Sequence, residues 1–185
     1  MKQEPGSEKV LVERVREGDR QAFAALIRPQ SQRLIAMANR MLGASAQAEE
    51  CVQDALASVW VARARLDPQR PFTPFVTTVV LNKCRDRLRR RKVTGIFGFP
   101  DQIDDLSIAD DTPSPEAQAI DRQKLLHLRE ALDKLPMKLR EALVLVAVDE
   151  RSQREAADIL GVSEKTVETR VYRARKTLRK KFDRN

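Results

Sequence analysis

The chain has 185 residues, 42% of them hydrophobic and 34% charged, which suits one domain or two small ones with a buried core and is too short for a large enzyme scaffold. Aromatics at 4% point to aliphatic helix packing and away from a β-sandwich. Thirty-five basic against 27 acidic residues give a net charge of +8 at pH 7, which favours a polyanionic partner, nucleic acid first among them.

Cys51 and Cys84 are too few for a disulfide framework, and neither sits in a CxxC or near His127, so both are expected as buried thiols and no metal site is expected. The N-terminus carries no apolar export segment, and nowhere do about 18 apolar residues run together. A cytoplasmic protein without membrane insertion is expected.

In chain order, Val10, Leu11, Val15, then Phe23, Leu26, Ile27, then Leu34, Ile35, Ala38, Met41 and Leu42 recur at helical spacing. Gly43-Ala44-Ser45 breaks this run, with Ser45 expected to cap a helix that turns Val52, Ala55, Leu56, Val59 and Trp60 inward. Pro68, Pro71 and Pro74 predict a shaped loop from Leu66 to Pro74, followed by a helix from Phe75 to Lys92. That helix ends in Asn82 to Lys92, with seven basic residues and one acid. A helix dipole accounts for two or three cations at a C-terminus, and the surplus suits a nucleic-acid backbone.

Between Val93 and Ile120 there is no Lys or Arg, while Asp101, Asp104, Asp105, Asp110, Asp111 and Glu116 are acidic and Gly95, Gly98, Pro100, Pro113 and Pro115 interrupt regular structure. This reads as a flexible acidic linker over 93–115, between a helical domain at 9–92 and a second at 116–185. Leu125, Leu128, Leu132 and Leu135 begin the second domain, Pro136 stops or bends that helix, and Leu139, Leu143, Val144 and Val146 continue in another. The fold class is therefore all-α, two small helical domains on a tether.

Gln153 to Arg173, QREAADILGVSEKTVETRVYR, carries a helix-turn-helix pattern. Ala157 is small where two helices cross, Gly161 takes the positive backbone angle of the turn, and Ser163 caps the second helix. Val162, Val167 and Val171 form its inward face, leaving Lys165, Thr166, Glu168, Thr169, Arg170 and Arg173 outward to reach a major groove. From Lys165 to Arg184 nine basic residues stand against Glu168 and Asp183, an excess that suits phosphate contacts.

Together these residues resemble the bacterial sigma factors, in the two-domain extracytoplasmic-function (ECF) branch, from about Leu11 to Phe182. Ala48 to Trp60 is similar to that family's region-two helix, which in such proteins docks on the β′ subunit of RNA polymerase; the resemblance implies polymerase contacts at Gln53, Asp54 and Ala57. Phe72-Thr73-Pro74-Phe75, Val79 to Asn82 and Asp86 to Arg90 resemble the element that opens the promoter −10 region. The residues implied there are Phe75, Asn82, Lys83, Arg85, Asp86, Arg89 and Arg90, with Phe75 where the family usually has Trp. Ser114-Pro115-Glu116 and Leu135-Pro136 resemble the entry to region four, whose recognition helix, Ser163 to Thr177, would read the −35 element with Ser163, Lys165, Thr166, Glu168, Thr169, Arg170, Arg173 and Lys176.

The resemblance implies core RNA polymerase (β and β′), promoter DNA and an anti-sigma factor as partners. No cofactor and no catalytic residue are expected, since the chain has no P-loop, GxSxG or HExxH and no convergent set of His with carboxylates. A dimeric helix-turn-helix repressor or activator explains the second domain equally well but leaves Asn82 to Lys92 without a purpose. A nuclease would need clustered carboxylates, and those of 101–111 lie in a Pro/Gly-punctuated stretch poorly suited to hold a metal.

Overall fold

The structure, a computed structural model, describes residues 5–93 and 127–182. The linker expected over 93–115 and the stripe residue Leu125 fall outside the described residues, apart from Val93 itself. Helices α1 (Pro5–Arg16), α2 (Arg20–Ile27), α3 (Ser31–Leu42), α4 (Ser45–Val61) and α5 (Phe72–Val93) make the first group, and no strand occurs among the described residues. Their apolar stripes meet in one aliphatic core that includes Val15, Leu34, Met37, Met41, Val76, Val80 and Leu81, all essentially without solvent exposure. A 3.6-residue period places such side chains on one face, and burying that face drives the packing.

Local chemistry sets the helix ends. The Asp19 carboxylate accepts the Gln21 and Ala22 N–H groups at 2.8 and 3.0 Å, satisfying two donors that the first turn of α2 leaves open. The Arg14 guanidinium also donates to it, and these bonds hold the Asp19 carboxyl below its usual range, the Ala22 N–H contributing most. Gly43 ends α3 at φ 75°, a conformation that costs a residue with a Cβ about 1–2 kcal/mol. Ser45 does not cap α4: Ala44 occupies the cap position and no side chain bonds there. The hydroxyl of Ser45 instead accepts from the Asn39 amide at 3.4 Å.

The shaped loop stops sooner than its prolines imply. α5 begins at Phe72, so Pro74 lies in its first turn, where a missing N–H leaves no helical bond unmade. The Phe72 N–H donates to Glu8 Oε1 of α1 at 2.8 Å, a carboxylate cap supplied from 64 residues away.

The second group holds α6 (127–133), α7 (Met137–Ala147), α8 (Gln153–Leu160) and α9 (Glu164–Phe182). Pro136 stands at the cap of α7 and separates it from α6. Ser152 and Glu155 form a reciprocal capping box on α8, Gly161 turns the chain at φ 65°, and Ser163 Oγ accepts the Thr166 N–H at 3.3 Å. Ala157, Val167, Val171 and Ala174 are buried between the helices, which is the helix-turn-helix arrangement read from the sequence; Val162 is half-buried.

The two groups pack against each other, α7 on α3 and α8 on α5. Arg85 of α5 meets Glu141 of α7, and Arg33 of α3 pairs with Asp149 at 3.2 Å and also donates to its carbonyl. Arg140 of α7 donates to the Met41 carbonyl at 2.9 Å and pairs with Asp133 at 3.1 Å. Burial pulls the Arg140 guanidinium below its ordinary value and pushes the Asp133 carboxyl up.

Candidate nucleic-acid interface

α5 presents Phe75, Asn82, Asp86 and Arg89 to solvent, at intervals of seven, four and three residues. At 3.6 residues per turn these intervals put all four on one face. Phe75 is 42% exposed at the end of an aromatic ladder in which Phe23 lies 5.4 Å from Trp60 and 6.5 Å from Phe72, and Phe72 lies 6.3 Å from Phe75. Trp60 is half-buried in this ladder, with the Arg63 guanidinium 4.7 Å from its ring centroid. An exposed ring backed by the buried Phe72 and the half-buried Phe23 and Trp60 is a rigid surface on which an unstacked base can lie.

The seven cations of the Asn82–Lys92 run separate by partner. Arg87 turns back to α4, bonding Glu50 at 2.9 Å and Asp54 at 2.8 Å, which raises its guanidinium above the ordinary value, the Glu50 bond first, and lowers the Glu50 carboxyl. Arg91 donates to the Leu42 carbonyl at 3.0 Å. Arg85 donates to Asn82 Oδ1 at 2.7 Å and to both Glu141 oxygens at 2.5 and 2.8 Å, a bond that holds its own proton more tightly. Lys83 is half-buried, while Arg89, Arg90 and Lys92 lie on the surface, with Arg89 3.9 Å from Asp86. Four of the −10 candidates thus share one face, and Arg85 is tied to a member of that face.

On α4, Gln53, Asp54 and Ala57 are all exposed on one side, and Val61 continues that side one turn later at 80% exposure. The sequence pattern passes over Val61 because an apolar residue at the end of an apolar helix reads as core. On α9, Lys165, Glu168, Thr169, Arg173 and Lys176 are exposed, Thr166 is half-buried with its hydroxyl on Ser163, and Arg170 is half-buried at the margin. Tyr172, 65% exposed, shares the outward side with Lys165, Glu168, Thr169 and Lys176 and is a further candidate that the apolar pattern conceals.

Known proteins carry the same two units. The description "Sigma-70 region 2" matches residues 26–94 and "Sigma-70, region 4" matches residues 125–178. The chain is 35% identical over 177 residues to RNA polymerase sigma factor CnrH of Cupriavidus metallidurans, covering 93% of this chain and 92% of that one. It is 29% identical over 182 residues to the ECF RNA polymerase sigma factor SigW of Bacillus subtilis, covering 94% and 96%. This chain belongs to the ECF sigma factors.

A solved structure of CnrH in complex with the cytosolic domain of CnrY matches this sigma factor with a TM-score of 0.73 at 28% identity, over 97% of this chain and 99% of that one. The matches cover both helical units, so the dimeric repressor or activator weighed on sequence grounds is not favoured. As a sigma factor the chain is a transcription initiation factor. Among the described residues no helix is long and apolar enough to cross a membrane, and no group of three or more His, Cys, Asp or Glu is placed to hold a metal ion.

Proposed function

We propose that this chain confers promoter specificity on core RNA polymerase, acting in the cytoplasm without catalysing a reaction itself. A first unit at 9–92 docks on the β′ subunit through Gln53, Asp54 and Ala57 of α4, with Val61 extending the contact. The same unit captures and opens −10 DNA through Phe75, Asn82, Lys83, Arg85, Asp86, Arg89 and Arg90. A connector at 93–115 leads to a second unit at 116–185, where Ser163, Lys165, Thr166, Glu168, Thr169, Arg170, Arg173 and Lys176 read −35, joined by Tyr172. The observation that carries this reading is the single exposed face of α5, on which an aromatic ring, an amide and a cation stand in line: a stacking surface, a hydrogen-bonding group and a phosphate contact for one strand.

The packed arrangement of the two units also bears on how they work. The −35 and −10 elements lie about 25 base pairs apart, roughly 85 Å along B-DNA at about 3.4 Å per base pair, whereas a folded chain of this size has a radius of gyration near ~16 Å. The units therefore part when both elements are read, and the polymerase surfaces that each unit grips supply the free energy for parting. An anti-sigma factor that holds the units together would silence the protein, and the CnrH structure, solved with the cytosolic domain of CnrY, supports that partner class.

Run-off transcription with purified core polymerase and a promoter library tests the assignment. Chain-dependent start sites at promoters sharing paired −10 and −35 sequences are expected. Transcripts that start at the same sites without the chain, or no chain-dependent start at all, would refute it.

A further inference from the structure

Cys51 of α4 and Cys84 of α5 lie with their sulfurs 3.6 Å apart, both thiols free and both essentially without solvent exposure. The sequence presents them as two separate buried thiols; the fold makes them neighbours across the seam between the two helices. A disulfide needs its sulfurs about 2.05 Å apart, so this pair closes by about 1.5 Å.

The two sulfurs are not equivalent. Their shared hydrogen bond, in which either thiol can donate, is the largest influence on both: it lowers the Cys51 thiol, with Arg87 and Lys83 adding positive charge nearby, and with burial it pushes the Cys84 thiol up.

The geometry points to Cys51 and Cys84 as a peroxide-oxidisable dithiol, with Cys51 the attacking and Cys84 the resolving sulfur, whose disulfide staples α4 to α5. The oxidant is hydrogen peroxide, small and neutral enough to enter a seam that opens only by local fluctuation. The Cys51 thiolate attacks one peroxide oxygen, the O–O bond breaks, and hydroxide leaves and becomes water with the proton released from Cys51. Cys51 is then a sulfenic acid. The Cys84 sulfur attacks the Cys51 sulfur, the S–O bond breaks, and the departing hydroxide becomes a second water with the Cys84 proton. Two thiols lose two electrons in total and one peroxide gains them. The resulting link joins the helix that carries Gln53 and Asp54 to the helix that carries Asn82 and Arg85, fixing their relative position. The pairing does not depend on which molecules those side chains contact.

Intact-mass measurement of the full chain treated with hydrogen peroxide tests this directly. The expected result is a loss of about 2 Da per monomer, restored by dithiothreitol, with one Cys51–Cys84 cross-linked peptide after non-reducing digestion. With dimedone present, Cys84→Ala is expected to accumulate a dimedone adduct at Cys51, and Cys51→Ala to stay unmodified at Cys84, both checked for native helicity by circular dichroism. Stable oxygen adducts on wild type without the mass loss, cross-links between chains, or a dimedone adduct on Cys84 in Cys51→Ala would overturn the proposal. Should a variant fail to fold, the wild-type mass and peptide map decide alone.

Discussion

Arg85 and Glu141 sit on different helical units and share two hydrogen bonds, at 2.5 and 2.8 Å, with the Glu141 side chain only 4% exposed. The same guanidinium holds Asn82 at 2.7 Å. A carboxylate from the unit proposed to read −35 therefore occupies a cation proposed to touch −10 DNA, so that contact and the packed arrangement exclude each other.

Glu141→Gln keeps the shape of this contact and removes its charge. Breaking a fully buried pair costs ~3–5 kcal/mol, and the partial exposure of Arg85 reduces this to about 1–2 kcal/mol here. The expected outcome is a larger radius of gyration by small-angle scattering and several-fold tighter binding of a single-stranded −10 oligonucleotide. Arg85→Ala should also loosen the units but weaken the oligonucleotide. Equal behaviour of the two variants toward the oligonucleotide would separate Arg85 from the DNA contact.

On α4 Gln53 and Ala57 point to solvent, so substituting them should leave stability alone. Gln53→Ala and Ala57→Arg are expected to weaken association with core polymerase by tenfold or more, measured by native gel shift or fluorescence anisotropy, with a melting temperature within a degree or two of wild type. Arg87→Ala makes the contrast. It frees Asp54 and Glu50 and should lower stability by up to about 1 kcal/mol, since all three side chains are partly exposed. Loss of polymerase binding together with loss of helicity in Ala57→Arg would remove that surface from the account.

For α9, base contacts and phosphate contacts respond differently to salt. Arg173→Ala and Lys176→Ala should each reduce the slope of log affinity against log salt by about one on −35 duplexes. Tyr172→Ala should leave that slope unchanged while narrowing the difference between cognate and scrambled −35 sequences, because an exposed ring beside Thr169 is placed to meet a thymine methyl and carries no charge. A changed slope with unchanged discrimination would make Tyr172 a bystander.

The helix-turn-helix was legible in the sequence because each of its signals is local: Ala157 at the helix crossing, Gly161 at the turn, Ser163 at the next cap. The all-helical core was legible for the same reason, as a 3.6-residue period of aliphatic side chains. The division of the basic run at the end of α5 was not. Arg85 and Arg87 find their partners 56, 37 and 33 residues away, and charge alone carries no information about direction. Glu8 capping α5 and Cys51 meeting Cys84 are hidden likewise, since both are products of packing between helices. Val61 and Tyr172 failed in the opposite sense: an apolar side chain in a helical pattern reads as buried until the neighbouring helices are in place.

The capping box of α8 gives a test in which pH and mutation must agree. Ser152 Oγ accepts the Glu155 N–H at 3.2 Å, and the Glu155 carboxylate accepts from the Ser152 N–H at 2.9 Å and from its hydroxyl at 2.8 Å. Those bonds hold the Glu155 carboxyl below its usual range, the Ser152 N–H contributing most. A depressed folded-state value means the contribution is complete above the ordinary glutamate range and is lost as pH falls through the folded value. Ser152→Ala should lower stability by about 1 kcal/mol at neutral pH, measured by urea denaturation. The gap between variant and wild type should shrink as the medium is acidified, since protonated Glu155 no longer closes the box in either protein. A gap that stays constant into acid would show that Ser152 acts only through its own bond to the Glu155 N–H, and that the reciprocal carboxylate adds nothing to the start of α8.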